Sequence, residues 1–211
     1  MKSDENSRST LIELQVDGFA PEYSCQVLPT APTDVHLIDF RWNPGLPTAR
    51  GLCLTIRPDS ASAWTGRFWG LSPYYPTFVH ACPSPTRLLV VVEGRGYYVN
   101  VVDPCSATCF PGLVTGALPS ADGGRLFVWN TQDLFAIDER GIEWWIERLA
   151  EEGLQIMSAS ADLVRGVRRD PVPDADEEFE LRLTELADPA GDTLSKQLRY
   201  ARIHMGGEGL W

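Results

Sequence analysis

Lysine is almost missing from this sequence: Lys2 and Lys196 are the two, and the other sixteen cationic side chains of the 211 residues are arginines. Positive charge as a whole is scarce, with 18 Lys and Arg against 29 Asp and Glu and a formal charge of -11. Clustered cations drive binding to a phosphate backbone, so this balance argues against nucleic acid as a ligand. No run of about twenty apolar residues offers a membrane span. The first residues, Met1 to Thr10, are polar and lead into no apolar core of an export signal. The chain is therefore expected in the cytoplasm, away from membranes, with residues 1–10 as a flexible N-terminus.

Histidine is also sparse, and His36, His80 and His204 stand far apart. The five cysteines are an odd number without an export signal, which excludes a disulfide framework. Cys105 and Cys109 are close in sequence, but no further Cys or His lies at zinc-ligand spacing, so no metal is expected. The sequence has no serine elbow, phosphate-binding glycine loop or zinc helix motif, and no cofactor is expected. The balance leans away from an enzyme.

What is present is apolar and aromatic mass, 44% hydrophobic residues with seven Trp, enough to bury one substantial core. Gly and Pro punctuate short runs of Val, Ile, Leu, Phe, Tyr and Trp, which is a β pattern. Arg87 to Glu93 and Tyr97 to Val102 read as a hairpin around Gly94-Arg95-Gly96, and Arg125 to Trp129 and Leu134 to Asp138 as a second around Asn130 to Asp133. Leu11 to Val16 and Gly51 to Arg57 read as further strands. Between them Pro29, Pro32, Pro44 and Pro47 remove backbone donors too often for central strands, and that stretch reads as extended surface loop. Residues 141–153 fit a helix by the spacing of Ile142, Trp145, Ile146 and Leu149, and a strand by the turn-like Asp138 to Gly141 before them; strand is preferred. Phe179 to Thr184 alternates with period two, as a half-buried strand does. Asp192 to Arg202 fits a short capped helix about as well as an alternating strand. No fixed-period repeat signals a full propeller or solenoid. The expected fold is mainly β: a single domain over residues 1–211, an antiparallel sandwich or curved sheet with at most one or two short helices.

Trp64 to Gly70, Cys82 to Leu88, Gly94 to Val99 with Asp103-Pro104, Leu134 to Asp138 and Gly141 to Trp144 together resemble a pattern of uncharacterised bacterial β-rich proteins. Those residues are turn formers and core aromatics, so the resemblance implies fold and no activity. Leu126 to Trp145 also resembles one blade motif of quinone-dehydrogenase-type propellers, which implies shared hairpin chemistry and not that cofactor.

Four constellations carry candidate chemistry. Trp64, Phe68, Trp69, Tyr74 and Tyr75 could form a stacking platform for sugar rings or a partner pocket, or fill the core. His80 and Cys82 would share one face of a strand as a thiol and imidazole pair, or be core residues. Asp103, Asp133 and Asp138 could serve as acid and base in sugar hydrolysis, or bind backbone in turns, which is the reading preferred. The acidic, proline-containing loop of residues 170–178 brings Asp170, Asp174, Asp176, Glu177 and Glu178, with Glu180 after it and Glu147, Glu151 and Glu152 upstream. Such a cluster steers a basic partner toward it. The expectation is a non-enzymatic binding protein of immunity-protein type that masks a basic protein partner, a toxin, with its acidic surface. The alternative is a carbohydrate-binding or carbohydrate-active β protein using Trp64, Trp69, Tyr74 and Tyr75.

Overall fold

The computed structural model describes residues 12, 14–32, 37–41, 51–169 and 176–186. It is mainly β, as the short apolar runs between turn residues predict. Where the sequence predicts a sandwich or one curved sheet, the described residues form four sheets. Sheet I joins β2 (Tyr23–Leu28), β4 (Gly51–Pro58), β5 (Trp64–Trp69) and β3 (Leu37–Phe40) in that order. Sheet II runs β1 (Leu14–Gln15), β6 (Phe78–Ala81), β7 (Arg87–Val92), β8 (Arg95–Asn100) and β9 (Thr108–Cys109). Sheet III is the meander β10 (Gly116–Pro119), β11 (Leu126–Trp129), β12 (Leu134–Asp138) and β13 (Gly141–Ile146). Sheet IV is β14 (Gly153–Ala159), β15 (Leu163–Arg169) and β16 (Asp176–Arg182), followed by a helical turn, Leu183–Leu186. Two pairings are parallel, β1 with β6 and β3 with β5.

The sheets stack in the order I, II, III, IV, and side-chain alternation shows it. In β7, Leu88, Val90 and Val92 face a core shared with Leu52, Leu54, Ile56 and Phe68 of sheet I, while Leu89 and Val91 face a second core with Leu126, Val128, Phe135 and Ile137 of sheet III. In β11 and β12, Phe127, Trp129, Leu134 and Ala136 face a third core with Leu154, Ile156, Val164 and Leu181 of sheet IV. Successive residues of a strand point to opposite faces, so a strand buried on both sides must be apolar throughout. That is why Leu88 to Val92 is an unbroken apolar run.

Three expectations change at the level of elements. The first hairpin turns at Glu93-Gly94, because Val92 pairs with Arg95 and Val91 with Gly96. The proline-bearing stretch read as loop contains β2 and β3, which lie at the two edges of sheet I, where missing donors cost little. Residues 176–178, read as part of the acidic loop, belong to β16. Residues 141–146 are strand, the preferred reading, and residues 192–202 lie outside the described residues. Among the described residues no helix is long and apolar enough to cross a membrane.

Candidate functional site

The acidic segment splits on inspection. Asp170 and Asp174 lie outside the described residues. Asp176, Glu177, Glu178 and Glu180 stand on β16, antiparallel to β15, whose sequence Arg165-Gly166-Val167-Arg168-Arg169 sets cations opposite them. Arg169 meets Asp176 at 2.9 Å, Arg168 meets Glu177 at 2.7 Å and Arg165 meets Glu180 at 3.0 Å, while Glu178 opposes Val167. Each exposed cross-strand pair stabilises the sheet by about 0.2–1 kcal/mol. Carboxylates for which no ion pair is found among the described residues lie nearby. The Glu152 backbone N–H bonds the Arg169 carbonyl at 3.0 Å beyond the Asp176 pair, and Glu147, Glu151, Glu152 and Glu178 are all exposed. The acid therefore concentrates at one end of sheet IV.

The aromatic cluster is dispersed. Phe68 is core, stacked on Phe40 with ring centroids 4.5 Å apart. Trp64 packs against the core between sheets I and II and donates its indole N–H to the Val101 carbonyl at 2.8 Å. Tyr75 lies against Gly94, and Tyr74 is 93% exposed. Phe68 and Trp64 are thus committed to packing, and Tyr74 to solvent.

Trp69 belongs to a constellation that the sequence did not disclose. Counted from the inward-facing Phe68, Trp69 and Arg67 project from β5 onto the outer face of sheet I, as Asp39 does from β3. The Trp69 indole N–H donates to the Asp39 carboxylate, which also takes Arg41 Nε at 3.2 Å and lies 3.6 Å from Arg67 Nε. Both guanidiniums lie over the indole, their carbons 4.5 Å and 5.2 Å from the ring centroid for Arg41 and Arg67, contacts worth about 0.5–1 kcal/mol each at an exposed site. Gly51 of β4 is the floor: a Cβ there would stand 3.3 Å from the Arg67 stem and 3.4 Å from the Trp69 ring. Asp39 and Arg41 lie far upstream of Trp69 in sequence, and only the parallel β3–β5 pairing brings them together. The one available signal was the polar and apolar alternation of Ile38, Asp39, Phe40 and Arg41, typical of a strand with one buried face.

The remaining candidates are structural. His80 is buried beside the Ala81 carbonyl, with Nδ1 at 2.7 Å, and burial draws its pKa down; no contact joins it to Cys82. Burial pushes the Cys82 thiol far up, against a thiolate role. Asp138 accepts the Arg140 and Gly141 N–H groups at 2.7 Å and 3.1 Å, Asp133 accepts the Arg148 N–H at 3.0 Å, and the Asp103 carbonyl accepts the Ser106 N–H at 3.1 Å. For Asp138 and Asp133 the carboxylate binds backbone N–H groups, the reading preferred from sequence, whereas Asp103 serves its turn through its backbone carbonyl.

The thiols yield a direct test. Burial pushes Cys25 up to about 12 and Cys109 up to about 11, and raises Cys53 as well, whereas Cys105 is exposed. A chromogenic disulfide reagent at neutral pH should find one fast thiol in the folded protein, and Cys105→Ser should remove that phase. A fast phase surviving in Cys105→Ser would overturn the burial of the other thiols.

No family model matches the chain, and no curated protein does. Among solved structures it is similar to the β-propeller domain of Cps50 (Swd1) from Myceliophteria thermophila, at 15% identity and a TM-score of 0.33, with 63% of this chain and 55% of that one covered. It is also similar to the N-terminal domain of Nup159, at 14% identity and a TM-score of 0.29, with 83% of this chain and 55% of that one covered. The chain thus spans about half the length of the structures it resembles.

Proposed function

We propose that the chain is a single-domain, non-enzymatic cytoplasmic binding protein that engages a basic protein partner through the acidic end of sheet IV. The observation that carries this reading is where the charge sits. Residues 143–182 hold eleven carboxylates against five arginines, a net of -6 within a total of -11. Their exposed members Glu151, Glu152 and Glu178 stand on or beside rigid strands. Carboxylates fixed on a sheet and its entry turn raise the encounter rate with a cationic surface without needing a pocket. An immunity protein that covers a toxin's basic cleft is the specific form this binding would take.

An oligolysine peptide serves as the probe. Titration at low salt should show binding that weakens steeply as salt rises. Charge reversal at Glu151, Glu152 and Glu178 to Lys should reduce affinity about tenfold or more. Binding unaltered by that triple variant, or absent in the wild type, would remove the reading.

A further inference from the structure

We infer that the outer face of sheet I around Trp69 is a second docking site, one that takes a carboxylate-bearing peptide segment of a partner protein. The charge around Trp69 is the reverse of the molecule's. Arg41 and Arg67 stand over the indole against Asp39, a local net of +1 on a chain of -11. Asp39 engages the two guanidiniums at Nε, leaving the Nη groups of Arg41 and Arg67 without a hydrogen bond among the described residues. Arg67 Nε is itself buried, with no acceptor at hydrogen-bond distance. Two guanidinium forks beside one indole match a pair of carboxylates, because the planar fork presents parallel N–H donors to both oxygens of one acid.

The site is also held in place. Trp69 is fixed by its bond to Asp39 and by Gly51 beneath it, so three strands position the donors before any ligand arrives. An open strand face suits an extended segment better than a small molecule, which needs enclosure on several sides. Trp and Arg are the residue types that dominate binding energy at the centres of protein interfaces. Two whole sheets separate this face from sheet IV, at about 10 Å per packed spacing, and charge effects fade over roughly 10 Å at moderate salt. The acidic end therefore does not cancel the site.

The test follows the indole N–H signal of Trp69 by proton–nitrogen NMR on the full chain, assigned with Trp69→Phe. Titration with an oligoglutamate peptide should move that signal, and titration with oligoglutamine or oligolysine should not. The double variant Arg41→Gln, Arg67→Gln should weaken oligoglutamate binding about tenfold while the other indole signals stay in place, which shows that the fold is kept although two stacking contacts are lost. The single variant Arg57→Gln, at the margin of the face, should weaken it less. A Trp69 signal unmoved by oligoglutamate in the wild type would overturn the proposal without recourse to any variant. So would unchanged affinity in the double variant, or movement of Trp69 by inorganic phosphate at lower concentration than by the peptide.

Discussion

Replacing Phe135 with alanine should lower the unfolding free energy by about 3–5 kcal/mol, as removal of a fully buried phenyl ring does, and the thermal midpoint by roughly 10 °C or more. Phe135 is 1% exposed on β12, the second strand from the outer edge of sheet III. Its ring meets Phe110 edge-on at 5.4 Å and Trp145 at 6.2 Å, and its strand neighbour across the ladder is Val128. The core around it lies between sheets II and III, and both sheets are held on their far sides by other cores. Neither can close over the void, so the cavity penalty should fall toward the upper part of the range rather than relax away. Phe135→Leu should cost much less, since it keeps most of the volume. Urea unfolding followed by tryptophan fluorescence gives both numbers, and a loss below about 1 kcal/mol for Phe135→Ala would contradict a rigid four-sheet stack.

The same stacking explains what could be read in the sequence. The runs at Leu88 to Val92 and Leu134 to Ile137 were legible as strands because they are apolar and bounded by turn residues, and the Asn130 to Asp133 reversal is made as expected, with Asn130 donating to Asp133 at 2.8 Å. Their continuity held a further message, burial on both faces, and that distinguishes a stack of sheets from a two-layer sandwich. In β13 the helical spacing of Ile142, Trp145 and Ile146 is produced by a register shift between Ala136 and Ile137 of its partner strand β12, while Trp144 and Trp145 point to different cores. The edge strands β2 and β3 were not legible, since among the described residues β2 has only β4 and β3 only β5 as a neighbour. The first three residues of the acidic strand, 176–178, were read as loop while Phe179 to Arg182 was legible as strand, although the cations opposite all of it could have been matched in advance. Arg165 with Glu180, Arg168 with Glu177 and Arg169 with Asp176 all count symmetrically outward from one reversal, the signature of hairpin register. The Trp69 cluster had no such local mark, because it depends on a parallel pairing between distant segments.

Changing Glu93 to asparagine should stabilise the protein by about 1–2 kcal/mol, a direction uncommon for a buried position. Glu93 and Gly94 form a two-residue reversal between Val92 and Arg95, with φ of 46° and 83°. Positive φ at both central positions is the geometry for which Asn-Gly is the favoured pair. An L-residue other than Asn, Asp or Gly is strained there by about 1 kcal/mol. The side chain adds a second cost: Glu93 is 6% exposed against Gly70, and its Oε2 is buried without a hydrogen-bond partner. An unsatisfied buried acceptor costs about 1–3 kcal/mol. The backbone bonds of the turn do not depend on the side chain: the Glu93 N–H donates to Thr77 Oγ1 at 2.9 Å, and its carbonyl accepts the Leu71 and Ser72 N–H groups at 3.3 Å. Against these gains stands the loss of one buried methylene, about 0.8 kcal/mol. Glu93→Gln keeps the strained backbone, so it should gain less than Glu93→Asn. Thermal unfolding of the two variants beside the wild type separates the backbone contribution from the carboxylate's, and a lowered midpoint in Glu93→Asn would show that the carboxylate is stabilising where it lies.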